Sequence, residues 1–302
     1  MMVTLLTRAG YIGRVAVLAT GGLLTSVASS PKTTLSAQMT SPDYGAWEAL
    51  VKAHVKPSEI RGIGVNVVDY DALRAEPGFA KFVKSLETAP TSGLGKDAEY
   101  ALWINSYNVL AIKTVADHPC KKSMLGLKKS KISSIKDVGT LVSPVWKKPA
   151  GVVGGQELSL DDIENVKLRA PTDYPADPLL HACIVCASVS CPDVALTAYK
   201  PETLQGDMET NMRCFLENPK KGLALDKTKG VITLSKVFQW FEADFTTKAG
   251  NASVLDALLP YMPEDVKAYV TENKSTLRIE HFEYDWGLNG PSPGAIGKGG
   301  KC

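Results

Sequence analysis

The stretch "LLHACIVCASVSCPD", Leu179 to Asp193, gathers one of only four histidines and three of only six cysteines in the chain. Its first half, Leu179–Val185, is a continuous apolar run with β-branched content, short enough to predict a buried central strand. Side chains alternate across a strand, so His181 and Cys183 would share one face. Cys186 starts on the opposite face but stands at the strand end, where the small residues "ASVS" let the chain turn. Cys191 precedes Pro192, which favours an extended or turn conformation there.

Four chemistries compete for this stretch. His181 and the cysteines are satisfied core residues, since free cysteine is among the most buried residue types. Cys186 and Cys191 are bridged by a disulfide across the loop, a short closure contributing about 2 kcal/mol at most. Cys186 or Cys191 is a thiol nucleophile with His181 as its base and a carboxylate or amide orienting the imidazole. His181, Cys183, Cys186 and Cys191 bind zinc, although the second Cys-x₂-Cys or His-x₃-His half of such a site is missing. Residue spacing leaves these open, and neither metal nor cofactor is expected.

The composition bounds the rest. With 302 residues, 44% hydrophobic and 22% charged, the chain is long enough for one large domain or two small ones. A formal net charge of +2 creates no global field for nucleic acid or anionic membrane. The lysine-rich stretch "CKKSMLGLKKSKISSIK" lacks interleaved aromatics and arginines and reads as solvated surface.

The first 42 residues contain no acidic side chain. There Arg8 and Arg14 precede the apolar run "VAVLATGGLL" and the small residues "TSVASS". This is the layout of a cleavable secretory signal over residues 1–29, with an organelle transit peptide as the alternative. The run is too short for a membrane-spanning helix, which takes roughly 20 apolar residues. No integral membrane segment is expected after its removal. A polar linker over 30–44, one domain over 45–289 and a disordered Gly/Pro/Lys tail over 290–302 complete the expected organisation.

Helical patterns dominate the domain. In "DAEYALWINSYNVLAIKTVADH", Trp103, Tyr107, Leu110, Ala111 and Val115 recur at helical spacing. Ser159 and Asp162 form a capping-box pattern at the start of another helix. "PETLQGDMETNMRCFLEN", "SKVFQWFEADF", "SVLDALLPYM" and "PEDVKAYVTEN" predict further helices. "LALDKTKGVITLS" reads as two strands around a turn, and "TLRIEHFEYDW" alternates as a half-exposed strand does. The expectation is an α+β fold, a helix-rich single domain around a small mixed or antiparallel sheet.

Asn105 and Asn108 are three positions apart and share a helix side. Such amides usually tie down a neighbouring backbone; ligand or oxyanion donation is the sharper option. Glu164 reads either as a solvated helix residue or as a buried acid facing His181.

Together and in this order, "YALWINSYNVLAIKTVADH", "SSIKDV", "GGQELSLDDIENVKLR", "HACIVCASVSCPD", "LSKVFQWFEADF" and "YDWGLN" resemble the domain-of-unknown-function 547 family over about residues 98–289. The family pattern His-Phe-Ala-Leu-x-Cys-Gly-Ala-x-Ser-Cys-Pro maps onto His181, Cys186, Ser190, Cys191 and Pro192. This chain has Ala182 for Phe, Ala187 for Gly, and Asn165 where the family often has histidine. The resemblance implies a site formed by Asn105, Asn108, Glu164, His181, Cys186 and Cys191. Packing of a polar helix on a strand beginning with His also suggests papain-like or transglutaminase-like thiol enzymes by analogy of fold.

Three function classes compete for these residues, the last of them least favoured. The first is a secreted, lumenal or periplasmic thiol hydrolase or acyl transferase acting on an amide or ester, with Cys186, His181, Glu164 and Asn105 catalytic and Asn108 and Cys191 binding. The second is a non-catalytic binding or scaffold module for a small molecule or peptide, in the cell envelope or an organelle lumen. The third is a small metal-binding protein. Isolated burial of these polar groups would cost about 1–3 kcal/mol each. They are therefore expected to meet, with Glu164 or Asn105 accepting from one nitrogen of His181 and the other nitrogen facing the Cys186 loop.

Overall fold

The computed structural model describes residues 41–122, 129–170 and 177–294. The signal segment, most of the linker and residues 295–302 lie outside them. The chain order begins with α1 (Tyr44–His54), the hairpin β1 (Val55–Ile60) and β2 (Ile63–Val68), α2 (Tyr70–Ala75), α3 (Pro77–Leu86) and α4 (Lys96–Asp117). The elements before α4 are additions to those that the sequence patterns predict.

Helix α4 is the centre of the core. It is buried without a break from Tyr100 to Ile112. A helix buried all round needs neighbours on every side. α2, α3 and the loops around the quoted cysteines supply many of them.

Small hairpins follow this helix in the chain. β3 (Cys120–Lys122) pairs with β4 (Lys129–Lys131), and β5 (Pro149–Val153), which packs against the helix, pairs with β6 (Gln156–Ser159). Gly154 and Gly155 turn the second hairpin with φ of 57° and 77°, the left-handed conformations that a two-residue turn requires. The hairpin delivers Ser159 to its capping box with Asp162, starting α5 (Leu160–Asp162).

The α5 turn continues as a π-helical segment, Ile163–Leu168. Arg169 N–H donates to the Glu164 carbonyl at 2.8 Å, which widens the turn by one residue. Such widened turns re-aim side chains and are frequent at functional sites.

Leu179–Val185 is not a strand. Pro178–Ala182 is a buried 3₁₀ helix, with Asp177 as N-cap and Pro178 at its first position. Asn108 holds the backbone just beyond this helix, donating to the Cys183 carbonyl at 2.8 Å and accepting from Val185 N–H at 2.9 Å. An α4 side chain thus supplies the bonds that a sheet ladder would have supplied.

The remaining elements are α6 (Leu204–Glu217), β7 (Leu223–Asp226), β8 (Val231–Leu234), α7 (Lys236–Trp240), α8 (Glu242–Phe245), α9 (Val254–Leu258), α10 (Glu264–Asn273) and β9 (Arg278–His281). β8 lies between antiparallel β7 and parallel β9, making a small mixed sheet. The architecture is α+β and helix-rich. Residues 290–294 return to α2, where Gly294 N–H donates to Asp71 and its carbonyl accepts from Arg74.

Candidate active site

A cavity of about 280 Å³ opens where the π-helical turn, the 178–192 segment, α7 and the chain after β9 converge. Tyr107, Glu164, Arg169, His181, Cys186 and Cys191 line one part, and Trp146, Trp240, Phe241, Tyr284 and Trp286 another.

The sulfur of Cys186 is the best-connected group. It lies 3.1 Å from the Cys191 sulfur, 3.2 Å from Ser188 Oγ and 3.2 Å from Tyr284 Oη. Ser188 and Tyr284 hydroxyls are themselves 3.0 Å apart. Hydrogen bonding from Cys191, then from Ser188 and Tyr284, outweighs burial and brings the Cys186 thiol down to about 7. Burial first, and then the neighbouring Cys186, pushes the Cys191 thiol well up. Both cysteines are free thiols; Cys191 is buried and Cys186 partly accessible.

The loop is fixed by the chain after β9. Val189 N–H donates to the Gly287 carbonyl at 2.8 Å and Ser190 N–H to the Asp285 carbonyl at 3.2 Å. Asp285 N–H donates to Ser190 Oγ at 2.8 Å. On the other side, Asp193 accepts from Asn66 N–H and from the buried Lys221 ammonium, each at 2.8 Å. Ala187 comes directly after the thiol with φ of 59°, in the left-handed region, at the position where the family pattern has glycine.

His181 is buried, and its partner is neither Glu164 nor Asn105. Its Nε2 bonds Asp244 Oδ2 at 2.8 Å. Asp244, on α8, also accepts from Arg169 Nε at 2.6 Å and is paired with Lys248 at 2.7 Å. Against the cost of its burial, bonds from His181, Arg169 and Lys248 hold the Asp244 carboxyl well below the usual range. Burial lowers the His181 pKa despite Asp244, leaving a neutral imidazole stacked 4.1 Å from the Phe241 ring. No hydrogen bond joins His181 to Cys186 among the described residues; the two face one cavity.

Glu164 accepts from Tyr107 Oη at 3.2 Å. Burial raises its pKa, against the opposing pull of Arg169 and the Tyr107 bond, and so favours the protonated acid. Asn165 bridges Asp161 and Arg169 beside it.

The two asparagines fasten backbone. Asn105 donates to the Tyr199 carbonyl at 2.7 Å and accepts from Tyr199 N–H at 3.1 Å, so it is occupied away from His181. Asn108 fastens Cys183 and Val185 in the same two-sided way. The four proposed zinc ligands do not converge: His181 is committed to Asp244, and Cys183 donates to the Leu179 carbonyl at 3.2 Å. Among the described residues, no group of three or more His, Cys, Asp or Glu side chains is arranged to hold a metal.

The aromatic wall has no counterpart among the sequence expectations. Tyr284 sits 4.6 Å from Trp286 and 4.7 Å from Trp240, ring centre to ring centre, and the two tryptophans stack at 5.7 Å. Lys136 lies over Trp286 at 4.3 Å.

Residues 91–216 match the family described as "Protein of unknown function, DUF547". No curated protein and no solved structure matches the chain. The DUF547 match takes in α4, Glu164, His181 and both loop cysteines, as the motifs in that range suggest. It ends before Asp244, Tyr284 and two of the wall tryptophans. "LSKVFQWFEADF" and "YDWGLN" held the missing partners, but their apolar spacing has a sufficient explanation as core.

Proposed function

We propose that this cavity is the active site of a thiol-dependent hydrolase or acyl transferase acting on an ester or amide. The observation that carries the reading is a partly accessible Cys186 on the cavity wall, its sulfur within 3.2 Å of Cys191, Ser188 and Tyr284. The Cys186 thiolate attacks the carbonyl carbon, and the carbon–sulfur bond forms as charge moves to the carbonyl oxygen. Ser188 and Tyr284 hydroxyls, released from the sulfur, face that oxygen. The bond to the alcohol or amine breaks, and protonated Glu164 supplies the leaving-group proton. Neutral His181, oriented by Asp244, takes the proton of the water or amine that discharges the thioester. Burial pushes Glu164 toward its protonated, acid form and His181 toward its neutral, base form. Asn105 and Asn108 position backbone and do not touch substrate.

p-Nitrophenyl acetate tests the reading. The expected result is a burst of about one nitrophenolate per chain, an acetyl group on Cys186 by peptide mass mapping, and loss of both in Cys186→Ser. The reading fails if Cys186 is never acylated while it alkylates no faster than the exposed Cys214.

The aromatic wall supports a second reading, a non-catalytic module holding a small molecule or peptide against Trp240 and Trp286. Tryptophan fluorescence that titrates with ligand, without turnover and equally in Cys186→Ser, would favour it. In either case we place the protein in a secreted, periplasmic or lumenal compartment. The acid-free leader supports this. Fractionation of cells expressing the full tagged chain checks the location.

A further inference from the structure

We propose that Cys186 and Cys191 are a peroxide-reactive redox pair, Cys186 taking the oxidant and Cys191 resolving it to an intramolecular disulfide. The inference is independent of acyl chemistry, because it needs only the two thiols and their setting.

Three features carry it. The sulfurs are 3.1 Å apart, so about 1 Å of approach separates contact from a disulfide length near 2.05 Å. The pair is asymmetric: both thiols border the cavity, but Cys186 is partly accessible, whereas Cys191 is buried and its sulfur accepts the Cys186 N–H at 3.1 Å. The loop between them is anchored to Asp285 and Gly287 on one side and through Asp193 on the other. That anchoring holds the sulfurs together after oxidation as before it. The acidity of Cys186 fits the attacking thiol, and oxidation of Cys186 removes the neighbouring thiolate that helps hold the Cys191 thiol protonated.

The chemistry balances with a hydroperoxide as oxidant. The Cys186 thiolate attacks one peroxide oxygen; the sulfur–oxygen bond forms and the oxygen–oxygen bond breaks. The departing oxygen takes a proton from solvent and leaves as water or alcohol, and sulfur becomes sulfenic acid. The Cys191 sulfur then attacks Cys186 sulfur, the sulfur–sulfur bond forms, and the sulfenic oxygen leaves as water with the Cys191 thiol proton. A dithiol reductant returns both thiols. While oxidised, Cys186 has no nucleophile to offer.

The test treats the full chain carrying Cys214→Ser, which removes the exposed cysteine, with hydrogen peroxide and dimedone. The parent should lose two hydrogens, yield a linked Cys186–Cys191 peptide, recover with dithiothreitol and give little dimedone adduct. Cys191→Ser should trap dimedone on Cys186, with at least tenfold more adduct, and gain two oxygens at excess peroxide. Cys191→Ala, checked for fold by near-ultraviolet circular dichroism, should do the same. Equal dimedone labelling of parent and Cys191 variants, or a disulfide from Cys186 to Cys183 instead, overturns the proposal. Acylation of Cys186 by the ester is read separately, so either idea can fail alone.

Discussion

Asp244 Oδ2 takes the Nε2 hydrogen of His181 at 2.8 Å and the Nε hydrogen of Arg169 at 2.6 Å, so one buried carboxylate serves both nitrogen bases of the cavity floor. Removing it strands the groups that it satisfies. Asp244→Asn should lower unfolding free energy by about 3 kcal/mol or more, the usual loss when one partner leaves a buried pair. Urea denaturation at pH 7 measures it, and a loss under about 1 kcal/mol would contradict the assigned role. The pair also predicts acid sensitivity. The folded His181 pKa is below 6.5, so below pH 6.5 the unfolded chain binds the proton first and stability falls with pH. Asp244 adds a second loss below 3.8, as pH falls toward its depressed folded value.

Glu164 has the opposite sign. Its folded pKa is raised above 4.5 by burial, so its contribution is fully present below 4.5 and lost as pH rises through the folded value. Glu164→Gln should therefore melt higher than the parent at pH 8 and equal to it at pH 4. Differential scanning calorimetry at the two pH values decides; an equal shift at both would show that the carboxyl is not held protonated by burial.

Thiol reactivity should depend on the three groups around Cys186. The iodoacetamide rate at Cys186, measured by peptide mass mapping, should rise with pH around a midpoint near 7. Tyr284→Phe removes a hydroxyl 3.2 Å from the sulfur. Losing one bond to a charged group costs roughly 1.5 kcal/mol, so the rate at pH 7 should fall about tenfold and the midpoint should rise. An unchanged profile would mean that Tyr284 does not bond the thiolate.

Ala187 gives a prediction in which opposing effects nearly cancel. Its left-handed backbone costs alanine about 1–2 kcal/mol. Glycine would relieve that, but would lose about 0.8 kcal/mol of buried methyl and about 0.4–1 kcal/mol through a freer unfolded chain. Ala187→Gly should thus change stability by less than about 1 kcal/mol. A β-branched residue is a true outlier in that region, so Ala187→Val should cost about 2 kcal/mol or more. Denaturant midpoints of the two variants test the contrast.

Local signals carried much of the fold. α4, α6 and α10 declare themselves by period, the Ser159 capping box by spacing, and the β7–β8 hairpin by its turn residues. Leu179–Val185 misled because an apolar, β-branched run looks alike whether its peptide groups bond a ladder or the amide of Asn108, 77 positions away. Asp177 and Pro178 were the local signs of a helical start. The thiols, Glu164 and His181 were legible as reactive types out of place among apolar neighbours. Asp244 and Tyr284 were not, since each sits in a motif whose aromatic residues already account for it.

Tyr284 reaches the Cys186 sulfur across 98 positions of sequence, and the loop between the thiols is clasped by Asp285 and Gly287. A ribosome makes the cysteines well before their clasp. Until residues 284–287 are added, the thiol therefore lacks the tyrosine hydroxyl that acidifies it and the contacts that align it with Cys191. Its reactivity comes with that later segment, and a nascent or truncated chain ending at residue 216 should carry a comparatively inert sulfur.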